Sequence, residues 1–547
     1  MTITAPHNAC HFCLLASFDV TKGAVMDAAY PCNPGIDKQC VAPNTDGSLA
    51  AQQMLPDRMH NHEEDWTLLV RRVSDLDGLS SRPKRPTHVL SSDTCRDGTS
   101  TMIYILNYAR SMHGDDQVRG GAIWSIALGT MHPHVSMFKP LLVLAMKAYL
   151  DSRCHAVLET LFHAANSLDL TQLPCLTRAE KLLLRTPVLD PGMPRSARRA
   201  PSAPMPQHTP HGWSKRSRVK VHSMRISDPS PQHACKTHYS TKFVYDRMSI
   251  PVHVPLALFP DELGEYSLTN LLTLVSQGST PRTTLHPHLH TNGTHTHPVV
   301  LLFNALITNK RVLFVGYRTE AHTVVDFVLA ACALASGSGA ILRGFLDQTI
   351  PYATLADLDA LNKMDGFIAG VTNPRFEQLP VWDVMCNVDT GKISLGKHII
   401  PASTFSPRCT FVPHKGKHGS AYGAQDDMHA IWSTGDVRAN SADGQFVQQL
   451  LSKIKAHASE ASVRWTWQMY VNIFVCNAAR HELRFYGDTL LAVTSQDVTW
   501  GDEISTLRAN AMRAEGWRTS PSYQMYIRDV TYDRRLARNC EEACAID

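Results

Sequence analysis

The chain lacks any uninterrupted run of the 18 or more apolar residues that a membrane-crossing helix needs. It also lacks a strong charge bias. Lys and Arg number 53 against 49 Asp and Glu, a net +4 over 547 residues, so whole-chain charge does not argue for nucleic-acid binding. The opening MTITAPHNACHFCLL has neither a charged leading region nor a small-residue cleavage site. It does not read as a secretory signal, and an intracellular protein is expected. No G-x-S-x-G elbow and no H-E-x-x-H occurs, which removes two common hydrolase classes. What is present is a composition 44% hydrophobic and 19% charged, suited to a globular protein of roughly three domains with one long polar insert.

Cysteine is not scarce. The 14 cysteines are scattered, several inside apolar runs, such as Cys332 in LAACALA. Buried reduced thiols explain them better than a disulfide framework. Cys10-x-x-Cys13 has zinc or redox spacing, and Cys32 and Cys40 would complete a set of four. No second C-x-x-C supports that site, so core or surface thiols are the preferred reading.

The most informative stretch runs from Pro298 to Ile393. HPVVLLFNALITNKRVLFVGY holds an apolar helix, a turn at Asn309-Lys310 and the buried-type strand Val312–Val315. TVVDFVLAACALASGSGAILRGF reads as a second helix stopping at Gly337-Ser338-Gly339. GFIAGVTNP is a second apolar strand closing at Asn373-Pro374, followed by Trp382 and the turn VDTGKI. Helix and strand alternating over short connections predict an α/β unit with a mostly parallel sheet covered on both faces.

Composition shifts divide the rest. Residues 1–180 form a first unit of α+β type, with strands in HFCLLASFD and from Trp66 to Val70. The hairpin-like TSTMIYILNYAR and RGGAIWSIALGT follow, then a buried helix in FKPLLVLAMKAYLDS. Residues 187–237 are rich in Pro, Ser and Arg without periodicity and read as a disordered basic insert. The α/β unit spans 238–400, with KFVYDRMSIPVHVPLALFP as its leading strand pair. A polar linker, 401–430, precedes a helical unit, 431–547. There Phe446, Leu450 and Ile454 have the spacing of one buried helix face, and Met469, Ile473 and Cys476 repeat it.

Candidate chemistry fails on inspection. Gly391 to Lys397 follows a P-loop until the position that needs a hydroxyl for magnesium, where His398 stands, and Pro401 forbids the required helix. A surface turn is the better reading. The glycines from Gly337 to Gly344 follow a helix and precede a strand, the reverse of a dinucleotide fingerprint, and read as a helix stop. His286, His288, His290, His295 and His297 could converge on a metal. No carboxylate or cysteine sits nearby, so a polar loop entering a helix at Pro298 is preferred. No catalytic residue, metal or cofactor is assigned. The insert carries Arg195, Arg198, Arg199, Lys215, Arg216, Arg218, Lys220 and Arg225, with no acid from Pro191 to Ser227. A solvated linker is the default. The membrane-contact candidates within it, Arg198, Arg199, Lys215, Arg216, Arg218 and Lys220, would each gain about 1 kcal/mol at an anionic surface.

HFCLLASFDVTKGAVMDAAYP, LPDRMHNHEEDWTLLV and VRGGAIWSIALGTMHPHVSMFKPLLVLAM, with HPVVLLFNALITNKRVLFVGY, PYATLADLDAL, GFIAGVTNPRFE and WDVMCNVDTGKI, together resemble the DENN family. The nearest type looks like the fungal Arf-interacting proteins that stabilise the polarity axis. The resemblance implies three lobes: longin-like, central α/β and helical. It also implies a small GTPase of Arf or Rab type as partner. One function it implies is an adaptor docked by an Arf-type GTPase at the cell cortex. The alternative is guanine-nucleotide exchange on a Rab, which needs no covalent chemistry because tighter binding of the nucleotide-free state suffices. Gly370, Val371, Thr372, Asn373 and Pro374 match a family motif whose expected role is structural. Tyr317, Arg343 and Arg375 flank those loops and are the partner-contact candidates. A cytoplasmic protein recruited to the polarised plasma membrane is expected, with no nucleic-acid partner.

Overall fold

A computed structural model of the chain describes residues 9–31, 49–72, 102–112, 122–174, 176–185, 237–259, 261–278, 285–399, 442–491 and 503–531. The described residues form a mixed α/β structure with two five-stranded sheets and a separate two-stranded hairpin. The basic insert, the 401–430 linker, Cys32 and Cys40 lie outside the described residues. Among the described residues, no helix is long and apolar enough to cross a membrane.

The first sheet is antiparallel. Its strands are β1 (Phe12–Asp19), β2 (Gly23–Tyr30), β3 (Glu64–Arg72), β4 (Met102–Met112) and β5 (Ala122–Thr130), in the order β2-β1-β5-β4-β3. The strands expected in HFCLLASFD, at Trp66–Val70 and in the two hairpin arms are all found here. One face packs on α1 (Leu49–Met54) through Phe12, Leu14, Ala16, Leu69 and Ile105. The other packs on α2 (Lys139–Ser152) and α3 (Val157–Asn166) through Leu15, Leu106, Tyr108 and Leu128. Gly129 is required where β5 crosses Phe12, because a Cβ there would lie 2.3 Å from the Phe12 ring. Buried Asn107 donates to the Met54 carbonyl at 2.6 Å and to Thr67 Oγ1 at 2.9 Å, so the polar end of α1 is satisfied inside the core.

A short helix, α4 (Arg178–Arg185), then reaches across, with Arg185 paired to buried Glu262. The segment expected to lead the α/β unit is a hairpin, β6 (His238–Tyr245) and β7 (Met248–Pro255), that pairs with neither large sheet. Its apolar positions Phe243, Tyr245, Val252 and Val254 enter the first sheet's core, with Phe243 5.4 Å from Phe138 between ring centroids. Alternating side chains leave the hairpin one apolar face, and α3 supplies the surface that buries it.

After α5 (Leu268–Gln277) come α6 (Pro298–Ile307), β8 (Arg311–Val315), α7 (Ala321–Ser336), β9 (Thr349–Ile350), α8 (Leu358–Lys363), β10 (Phe367–Val371), β11 (Val384–Asn387) and β12 (Ile393–Leu395). The second sheet has the order β12-β11-β8-β10-β9 and is parallel except for β12. This is the arrangement expected from the alternating pattern. Helix α6 is buried on every side, which is why its sequence has no polar face. Helix α7 ends at Gly337 in the left-handed conformation, φ 66°, as the helix-stop reading expects.

The C-terminal helices are α9 (Ala442–Lys455), α10 (Glu460–Tyr486), α11 (Glu503–Arg518) and a last one at 521–531. Leu450 of α9 is fully buried and Phe446 and Ile454 pack beside it, as the spacing predicts. The expectation for α10 is corrected. Its buried stripe is Val463, Trp467, Tyr470, Phe474 and Ala478, whereas Ile473 is 56% exposed and Met469 and Cys476 are only half-buried. Both stripes have helical spacing. The aromatic one offers more area to bury, and Phe303 of α6 meets Trp467, Tyr470 and Phe474 edge-on at 5.6–5.7 Å. The Glu460 carboxylate also accepts the N–H groups of Leu268 and Thr269, capping α5 from a distant part of the chain.

Candidate functional site at the strand ends

Strands β8, β10 and β11 run parallel, so the loops after them gather at one edge of the second sheet. Open parallel sheets present ligands and partners at this edge. Here it meets the segment between α1 and β3. The two enclose a cleft of about 320 Å3 lined by Asp57, Arg58, His62 and Asp65 from one side and Tyr317, Arg318, Thr319 and Thr372 from the other.

Asp65 joins the two sheets. It lies on β3 and is almost fully buried, yet its carboxylate accepts the N–H of Ala321 at 2.7 Å and of His322 at 3.0 Å. These are orphan donors at the start of α7, and Glu320, the residue preceding that helix, makes no side-chain cap. The negative carboxylate also faces the positive end of the helix dipole. His322 Nδ1 lies 3.2 Å from Asp65, and that hydrogen bond raises the imidazole's pKa above its ordinary value, against the opposing effect of burial. His62 stands 3.6 Å from Glu320 at the rim.

A second set of bonds crosses beside it. The Asp57 N–H donates to Tyr352 Oη at 2.9 Å, Tyr352 and Thr372 hydroxyls meet at 2.9 Å, and Asn373 Nδ2 donates to Asp57 at 3.2 Å. Burial raises the Asp57 carboxyl, opposed by the Asn373 amide and the Arg58 charge. Arg58, held at φ 67°, donates to the Tyr317 carbonyl. The walls are therefore bonded across to one another, and the cleft acts as a polar seam.

The motif residues serve this seam. A Cβ on Gly370 would sit 2.6 Å from the Pro351 carbonyl oxygen, so glycine lets β10 pass close to that backbone. Val371 pairs with Val315 in the sheet, and Pro374 opens a 3-10 turn in which Asn373 Oδ1 accepts the Arg375 N–H at 3.0 Å. Thr372 and Asn373 do more than end a strand, because both take part in the bonds that reach Asp57.

The three contact candidates separate. Tyr317 lines the cleft but is held at both ends: its N–H donates to Asp389 at 2.8 Å and its hydroxyl to Glu377 at 2.7 Å. Burial, then Glu377, raises its phenol pKa. Arg375 is exposed beside it. Arg343 does not begin a strand and does not line the cleft. It lies between α7 and β9 with Nε donating to Asp529 at 2.7 Å, which ties the sheet to the last helix.

The other motifs fall into structural roles. The P-loop-like run spans the end of the β11–β12 turn, β12 itself and the two residues after it, with Gly391 at φ 69° packed against the Leu274 carbonyl. In the histidine loop the His286 N–H donates to His290 Nδ1 at 3.0 Å and the His288 N–H to His286 Nδ1 at 3.1 Å. His297 caps α6 by accepting from Val299 at 3.2 Å. The loop is more buried than a polar connection would be, and burial lowers His286 to about 3 and His288 and His290 to about 4. Among the described residues, no group of three or more His, Cys, Asp or Glu is placed to hold a metal ion. Cys10 and Cys13 are buried with sulfurs 3.7 Å apart, and burial, reinforced by Cys10, raises the Cys13 thiol.

Sequence reasoning missed Asp57, Arg58 and Asp65. Asp65 had a visible signal: an acid sharing the inward register of Thr67 and Leu69 in EEDWTLLV.

Comparison with known proteins matches both walls of the seam. Residues 285–397 match a family described as stabilization of polarity axis, and residues 12–113 match one described as the docking domain of Afi1 for Arf3 in vesicle trafficking. An AFI1-like protein of Schizosaccharomyces pombe is 26% identical over 537 residues, covering 94% of this chain and 79% of the relative. The chain is thus similar to fungal Arf-interacting polarity proteins. Asp57, Arg58, His62 and Asp65 fall in the first-sheet match, and Tyr317, Arg318, Thr319 and Thr372 fall in the second-sheet match.

Proposed function

We propose that this chain is an adaptor docked by an Arf-type GTPase and that it works in cell polarity and vesicle traffic. The observation that carries the reading is the match of residues 12–113 to a segment described as docking Arf3. The seam supports it physically. A docking segment bonded to the polarity-axis segment through Asp65, Asp57 and Arg58 transmits position without any chemical step. In the same proposal, the protein follows a DENN-type three-lobed plan and is recruited from the cytoplasm to the polarised plasma membrane. The basic insert, with Arg198, Arg199, Lys215, Arg216, Arg218 and Lys220, adds attraction to anionic lipid there.

The test is capture of the full chain by a panel of Arf and Rab GTPases, each in GTP-analogue, GDP and nucleotide-free form. Capture by an Arf in its GTP form alone is the expected result. Preferential capture by a nucleotide-free Rab would replace the adaptor with the exchange-factor reading.

A further inference from the structure

Among the described residues of 12–113, both faces of the first sheet are packed against other parts of the protein. Helix α1 covers one face of the first sheet and α2 and α3 cover the other, while β3 at one edge lies against α7 and β9 of the second sheet. Among the described residues, the opposite edge, β2, pairs only with β1. Among the described residues, the end of the sheet where β1 turns into β2 is left open as well.

The exposed large apolar side chains of this segment gather at that end: Phe18 is 47% exposed, Val20 76% and Met112 46%. Register places Met112, opposite Ala122, and Trp124, opposite Ser17, on the α2 and α3 face of this end, whereas Phe18 follows Phe12, Leu14 and Ala16 on the α1 face. Ile123 and Trp124 are themselves half-buried. Apolar side chains scattered singly on a surface are ordinary, whereas Phe18 and Val20 stand together on one turn beside a free strand edge.

The turn that carries Phe18 and Val20 is locally fixed. The Asp19 carboxylate accepts the N–H of Thr21 at 2.8 Å and of Lys22 at 2.9 Å, and Gly23 takes φ 80°. On the other face of this end, Arg153 lies 3.9 Å over the Trp124 ring, and Arg110 stands opposite Trp124 in register. The register shift between Leu15 and Ala16 leaves Asp27 unpaired as a bulge, which confines regular free edge at this end to Gly23–Met26. That stretch holds no Pro and no Lys, the residues that commonly block strand addition.

We propose that this sheet end is the surface on which the GTPase docks, with Phe18 and Val20 as apolar anchors and Gly23–Met26 offering backbone groups to a partner strand. The inference rests on the adaptor reading and narrows it to one face. A GTPase is the occupant because the partner description that reaches these residues names one, and among the described residues the two faces of the sheet are packed from within.

The experiment measures affinity of the full chain for the Arf GTPase, loaded with a GTP analogue, that the wild-type chain captures. Phe18→Asp with Val20→Asp is compared with Ile473→Asp, an exposed control on α10. The paired variant is expected to bind at least tenfold more weakly, with the control unchanged and both melting like wild type. If the acidic pair melts early, Phe18→Ser with Val20→Thr repeats the measurement with the same expectation. Affinity of the paired variant within about twofold of wild type would overturn the inference and leave Arf docking standing, and so would equal loss in both variants. Failure of the wild-type chain to bind any Arf would remove the adaptor reading itself, and the inference with it.

Discussion

The two five-stranded sheets differ in what surrounds them. The second is sealed where α6 and α7 cover it: β8 and β10 are apolar almost throughout, and the buried α6 and largely buried α7 lie against them. The first is antiparallel, carries polar groups such as Asn107 and Asp65 in its core, and leaves one edge and one end uncovered by described residues. A sealed sheet can only support. An open one can also bind. The seam at Asp65 lets the first borrow the rigidity of the second.

The largest expected effect comes from breaking the sealed side. Trp467→Ala removes a fully buried indole that donates to the Leu334 carbonyl at 2.7 Å and packs on Phe303. A loss of about 3–5 kcal/mol is expected, read as a lowered urea midpoint. A loss under about 1 kcal/mol would mean that the helical layer is not part of the same cooperative core.

Asp65→Ala attacks the join. It strips two N–H groups at the start of α7 of their acceptor and is expected to cost about 1–3 kcal/mol. Hydrogen exchange should quicken in the first turn of α7 before it does in β8. Unchanged exchange there would show that the seam does not hold the helix.

Acid distinguishes the two regions by sign. His286, His288 and His290 are lowered by burial to about 3–4, so the unfolded chain takes up protons first as pH falls. Their contribution is intact above about pH 6.5 and is lost between there and about pH 4. His322, raised by its bond to Asp65, behaves oppositely. Its contribution is intact below about pH 6.5 and fades as pH climbs through the raised value. Protection factors at 286–297, taken against the intrinsic exchange rate at each pH, should fall from pH 7.5 to pH 5, while those in the first turn of α7 rise. The same trend in both places would contradict this assignment.

The smallest effect is on the open side. Phe18→Ser is expected to change stability by less than about 0.5 kcal/mol, because about half of the side chain is already in water. A loss above about 1 kcal/mol would mean that Phe18 is a core residue.

The same contrast explains what was legible in the sequence. Unbroken apolar runs and glycine stops announced α6, β8, α7 and β10, because burial on both faces leaves no competing pattern. The motif at Gly370–Pro374 was visible as residues, but its bonds to Asp57 join positions more than 300 apart, and no local spacing records that. Helix α10 offered two stripes of equal period, and only the partner, Phe303, decides which one is buried. The β6–β7 hairpin carried a correct strand pattern with no mark of which core would receive it. Arg343 was visible as a charge beside a loop, while its carboxylate partner lies 186 positions further along the chain.

The most direct test of the account is hydrogen exchange of the full chain with and without the Arf GTPase in its GTP-analogue form. New protection at Phe18–Met26, Met112 and Trp124, with none at Arg311–Val315 or Phe367–Val371, is the predicted result. Protection centred instead on Tyr317–Thr319 and Thr372–Gln378 would contradict it, making the seam itself the docking site and the open sheet end a bystander.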